Sequence, residues 1–198
     1  MNPDIFQAVE VIFILFFAVV IHECAHGWVA LKLGDPTAKL AWRLTLNPIK
    51  HIDPVGTIIV PFLTHIFGGF LVGWAKPVPV NFMNLNHPKR DMIWVALAGP
   101  AINVVIAVLA SLARKLNPSF FDTVIIINLM LAVFNLTPIP PLDGSRIVTG
   151  LLPNDLARSY ARLEPFGFII IIILLQAGLF GFVGEIVVTL ARMLGVAG

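Results

Sequence analysis

One cysteine, one tyrosine and few charges mark this 198-residue chain, in which only 12% of residues are Asp, Glu, Lys or Arg. The single thiol, Cys24, excludes an intrachain disulfide and says little about redox compartment. A charged fraction this low, beside 58% hydrophobic residues, excludes an ordinary soluble domain, for which roughly 25% charged and 45–50% apolar is usual. The formal net charge of +2 is too small to indicate a nucleic-acid partner. A basic stretch before the first apolar run is also missing, and Asp4 stands there instead, so that run reads as a retained span and not a cleaved signal. Neither an internal repeat nor a low-complexity tract is present.

What is there is hydrophobic length. The mean hydropathy is +0.93, and windows of the roughly 20 apolar residues needed to cross a bilayer fall at 5–31, 54–75, 92–113, 121–142 and 165–184. The tail 185–196 is too short to span alone. Nearly all of the chain is used in this way, so residues 1–198 form one membrane domain, with a core at 5–147 and C-terminal helices at 165–197. Between the first two windows "AKLAWRLTLNP" alternates with a strand period, and "AKPVPVNF" carries Pro77 and Pro79 on one edge, as an edge strand does. The expected fold is an all-α polytopic membrane protein with about four full spans, a re-entrant segment and a small membrane-associated β-sheet over 39–46 and 76–82.

The first span ends in "HECAH". His22 and His26 are four apart, so a helix places both imidazoles on one face, where they can bind one cation. Glu23, about 100° round the helix, can reach a water at such a cation without being a ligand. Histidine, glutamate and histidine in this spacing are a known zinc-peptidase signature. The competing reading is a pair of packing histidines bonded to neighbouring carbonyls, but unpaired ionisable groups at membrane depth are costly. A catalytic zinc takes three protein ligands and keeps a position for water. Asp143 is the candidate third ligand, because it closes "FNLTPIPPLDG", where Pro138, Pro140 and Pro141 stop a helix at membrane depth. The alternative for Asp143 is a loop cap in an Asp-Gly turn.

Asp143 and the histidines share a depth only if the first span and the 121–142 segment run parallel, which requires 54–75 to enter and leave on one side. Pro61, Gly68, Gly69 and Gly73 suit such a hairpin. With that topology ten of the thirteen Lys and Arg, all but Arg114, Lys115 and Arg192, lie on the side of the metal. The positive-inside tendency then turns the site toward the cytoplasm.

Three separated motifs, "HECAH", "GPAIN" (Gly99 to Asn103) and "NLTPIPPLDG" (Asn135 to Gly144), resemble the site-2 protease family of intramembrane zinc metalloproteases over about residues 10–147. "LNPIKHIDPVGT" and "GWAKPVPVN" look like its compact prokaryotic subgroup, and the chain shows no PDZ or CBS domain. The resemblance implies one Zn2+ held by His22, His26 and Asp143, Glu23 as catalytic base, and Asn135 as a group steadying substrate or oxyanion. It also implies a transmembrane protein substrate within the lipid bilayer of a prokaryotic cell; the alternating pattern next to the site separately suggests that an exposed edge of the sheet over 39–46 and 76–82 holds the unwound substrate by strand addition. For Asn135 an interhelical hydrogen bond is the alternative; for Asn103 with Gly99, close helix packing competes with a substrate role. Cys24 reads as a small filler, and His51 and Asp53 as a turn at the membrane surface. A metal-ion transporter would need further polar ligands on facing helices, which 92–113 and 165–184 lack in His, Asp and Glu. A structural zinc scaffold would need a fourth ligand.

Overall fold

The computed structural model describes residues 3–60, 62–63, 66 and 75–196. Its long helices are α1 (Pro3–Lys32), α3 (Pro88–Ala113) and α4 (Pro118–Asn135), with the single turn α2 (Thr37–Leu40) after the first. Four shorter helices follow: α5 (Asp143–Leu151), α6 (Asn154–Ala161), α7 (Gly167–Gln176) and α8 (Gly181–Met193). Among the described residues four stretches are long and apolar enough to cross a membrane, namely Ile5–Lys32, Pro88–Leu116, Pro118–Asn135 and Asn154–Gln176. The protein is an integral membrane protein.

The boundaries follow from local chemistry. Asn117 caps α4 by accepting the Phe120 N–H, and Pro118 fills the first helical position, where no N–H is needed. At the start of α3 the Asp91 carboxylate reaches back to the His87 N–H. Along α3 the buried residues Ala96, Gly99, Asn103, Ala107 and Ala110 recur every three or four positions. This narrow face lets α1 and α4 pack closely on α3.

Contacts across these faces fix the helix directions. His26 meets Val95 and His22 meets Asn103, so α1 and α3 are antiparallel; Asn103 meets Asn128 while Arg114, just past the end of α3, pairs with Asp122 near the start of α4, so α3 and α4 are antiparallel as well. Helices α1 and α4 therefore run parallel. The Asn86 N–H donates to Leu33 O at 2.8 Å, so the chain leaves after α1 and returns before α3 at one end of the bundle. Of the segment 54–75 expected to be re-entrant, Pro54–Ile59 forms one π-helical turn capped by Asp53. Most of the rest, including Gly68, Gly69 and Gly73, lies outside the described residues.

The expected β-sheet is a correction. Among the described residues no strand forms. Thr37–Leu40 is helical, and Trp42, at a φ of 54°, breaks the alternating run. The second segment, 76–80, has its ladder groups claimed by other partners. The Lys76 N–H goes to His51 O, the Arg43 guanidinium donates to Lys76 O and Pro77 O, and the Val78 N–H goes to the Glu23 carboxylate. Pro77 and Pro79 have no N–H to offer. Substrate addition to a sheet edge falls with the sheet.

Two helix boundaries also differ from the apolar windows. The window 121–142 stops being helical at Asn135, because the proline-rich stretch that follows cannot continue it. The window 165–184 is split at Gly178, whose φ of 70° closes α7 with Leu179 N–H to Leu174 O and Gly178 N–H to Leu175 O, a Schellman ending. Helix α8 then lies along α4. Phe180 packs on Phe134 with ring centroids 5.2 Å apart, and Arg114 donates to Gly195 O at the other end. Ile125, Leu129, Ile171, Val183 and Val187 fill the space between.

Candidate metal centre

His22 and His26 lie on the face of α1 that meets α3, and both are buried. Asp143 arrives from a different direction as the first residue of α5, where a helix N-terminus favours its negative charge. Its Oδ2 lies 3.1 Å from His22 Nε2 and 3.3 Å from His26 Nε2, and the two Nε2 atoms are 3.0 Å apart. The three ligand atoms form the one group among the described residues able to hold a metal ion.

The hydrogen bonds behind the rings decide what this triangle can bind. His26 Nδ1 lies 2.7 Å from Val95 O, an atom that only accepts, so Nδ1 carries the proton and Nε2 presents a lone pair. His22 Nδ1 lies 2.5 Å from Asn103 Oδ1, which orients that ring in the same sense. The two Nε2 atoms and the carboxylate oxygen thus converge within contact distance of one another, and in the neutral Nδ1–H form of each ring both nitrogens are free to bind a metal cation. Ligands at about 2.0–2.1 Å from a tetrahedral zinc stand about 3.3 Å from one another. The observed separations are close to that edge length, and two imidazoles with one carboxylate leave room for a fourth ligand, so the residues fit zinc.

The motif around Gly99 acquires a definite role here. A Cβ at Gly99 would collide with Nε2 of both His22 and His26, so only glycine lets α3 approach the ligand atoms. Gly144 is similar, since a Cβ there would strike the Leu136 and Thr137 carbonyls as α5 folds back onto its preceding loop. That loop is also tied by the Tyr160 hydroxyl, which donates to Pro138 O at 2.7 Å.

Other residues singled out in the sequence lie as follows. Glu23 is half-buried, and its Oε2 accepts the Val78 N–H at 2.8 Å. Asn135 donates through Nδ2 to Leu131 O of its own helix at 2.9 Å, and no hydrogen bond joins it to the three ligand residues. Cys24 donates to Thr45 O and stays outside the metal group. His51 is fully buried instead of lying at the surface, with Nε2 donating to Thr45 O. Sequence reasoning missed Asn128, whose amide oxygen accepts from Asn103. The only available signal was a lone amide in the middle of the apolar run "VIIINLMLAVF".

The profile of peptidase family M50 matches residues 10–118 and 111–177. YwhC of Bacillus subtilis, named as a proposed zinc metalloprotease, is 40% identical over 81% of this chain and 77% of its own. Rip2 of Mycolicibacterium smegmatis, named in the same way, is 32% identical over 78% of this chain and 62% of its own. The zinc metalloprotease MJ0392 of Methanocaldococcus jannaschii is 28% identical over 83% of this chain, which spans only 39% of that longer protein. No solved structure matches significantly.

Proposed function

The chain belongs to peptidase family M50, and from that premise we propose that it cleaves peptide bonds in or near transmembrane segments of membrane proteins, using zinc held by His22, His26 and Asp143. The observation that carries this reading is the convergence of two imidazoles and a carboxylate, with Glu23 next to His22 in the chain, among helices long and apolar enough to span a membrane. Zinc bound there supplies Lewis acidity toward a water molecule and the scissile carbonyl.

Glu23 is the general base. It follows His22 directly on α1, and its Oε2 accepts the Val78 backbone N–H. It takes one proton from the attacking water as the C–O bond forms and delivers it to the amine nitrogen as the C–N bond breaks. The Val78 N–H orients this carboxylate while it waits. Asn135, with one Nδ2 hydrogen donated to Leu131 O, keeps a second amide hydrogen and its carbonyl oxygen to steady the substrate or the oxyanion. A helical substrate hides its peptide bonds, so it unwinds locally before attack. The concentration of Lys and Arg at the metal end turns that end toward the cytoplasm.

The test is reconstitution of the purified protein in vesicles with a transmembrane model substrate. Wild type cleaves it, and Glu23→Gln keeps its zinc while losing about 10²–10⁴-fold in rate. Full cleavage by the Gln variant would remove Glu23 from the mechanism.

A further inference from the structure

The two histidines of the metal centre are oriented by unequal means. Behind His26 stands a backbone carbonyl, which can only accept. Behind His22 stands a primary amide, which presents an acceptor or, turned over, a donor. If the Asn103 amide turned its Nδ2 toward His22, the imidazole would have to accept at Nδ1 and carry its proton on Nε2. That proton would point into the metal position. Something must therefore fix the amide.

We infer that Asn128 is a positioning residue for the metal, acting through Asn103 to hold His22 in the tautomer whose Nε2 is free to bind zinc. The polarity is set at the far end. Val124 O is a backbone carbonyl and accepts from Asn128 Nδ2 at 2.9 Å, so the Asn128 amide has its nitrogen toward Val124 and its oxygen toward α3. Asn128 Oδ1 then accepts from Asn103 Nδ2 at 2.8 Å. With its nitrogen spent, Asn103 presents only Oδ1 to His22 Nδ1. The relay has one polarity, set by an atom that cannot donate. Both asparagines are fully buried, at 0% and 1% exposure, so no water is at hand to substitute for a broken link. Reversing the chain would set Asn128 Oδ1 against Val124 O, two acceptors in a dry interface.

The inference rests on His22 being a zinc ligand, and the experiment separates the two claims. Metal-free wild type with 15N-labelled histidine gives the His22 tautomer by NMR, its signals assigned by their loss in His22→Ala. Zinc affinity is read by competition with a chromophoric chelator. The expected wild-type form carries its proton on Nδ1. Asn128→Leu, similar in volume but unable to accept, weakens zinc binding about 10–100-fold, as the loss of an outer partner of a ligand histidine does, and shifts His22 toward the other tautomer. Asn128→Asp restores affinity, because burial favours a neutral carboxyl that donates to Val124 O and accepts from Asn103. The relay is overturned by an Nε2–H tautomer in the wild type, by wild-type zinc affinity in Asn128→Leu, or by an Asp variant no better than the Leu one. If the Leu variant does not fold, the wild-type tautomer alone decides. Undiminished zinc affinity in His22→Ala would instead remove the metal-site assignment beneath it.

Discussion

Gly99 lies against Nε2 of both His22 and His26, leaving no room for a methyl group. Alanine suits a helix interior better than glycine by about 0.8–1.0 kcal/mol, so Gly99→Ala separates helix stability from metal binding. Zinc affinity should fall about tenfold or more while helix content, read by circular dichroism, holds or rises. Unchanged zinc affinity would mean that the ligand atoms do not meet at this face. Much of this centre was legible in the sequence. The spacing of His22, Glu23 and His26 is a local pattern, and Asp143 stood out because prolines and an anion together at membrane depth demand a reason. Asn103 was half legible, its motif visible but its contact with His22 not, and Asn128 carried no pattern because its role depends on which helix faces it. Asn135, which the sequence singles out for a role toward substrate, donates one amide hydrogen to the Leu131 carbonyl of its own helix.

At the scale of elements, the segment 76–80 shows why alternation alone misled. A strand is made by its partners, and here side chains took the groups a neighbouring strand would need. The segment is anchored beyond its end by Asp35, which is fully buried and accepts from Asn81 N–H at 2.7 Å, Asn84 Nδ2 at 2.9 Å, and both the N–H and the hydroxyl of Thr37. Burial alone would raise its pKa, but these donors outweigh burial and hold it below the ordinary carboxylate value. A depressed folded pKa contributes stability that is fully present above the unfolded value of about 3.9 and is lost as pH falls through the lower folded value. Thermal unfolding of the metal-free protein at pH 6 and at pH 3 should therefore show a larger acid loss in wild type than in Asp35→Asn. Equal losses would show that Asp35 adds nothing to the anchor. The break at Gly178 predicts a simpler effect. Nothing crowds a Cβ there, yet its positive φ makes Gly178→Ala cost about 1 kcal/mol in unfolding measurements.

For the whole molecule, the parallel course of α1 and α4 is what lets residues more than a hundred positions apart come together in one group able to hold a metal ion. Read as successive crossings, the apolar windows put Asp143 and the histidines at opposite surfaces, and the need to bring them together, with the distribution of Lys and Arg, argued for a chain that returns to the side it left. The Asn86 to Leu33 hydrogen bond now expresses that return directly. Reporters fused at residues 85 and 117 should accordingly report opposite sides, with 85 in the cytoplasm. The same side for both would contradict the helix order. The most direct test of the account is the zinc K-edge absorption spectrum of the purified protein. Ligation by His22, His26 and Asp143 predicts nitrogen and oxygen neighbours at about 2.0–2.2 Å, the outer-shell signature of two imidazoles, and loss of bound zinc in Asp143→Ala. A sulfur neighbour at about 2.3 Å, which Cys24 would supply, or a spectrum unchanged by the Asp143 substitution, would contradict it.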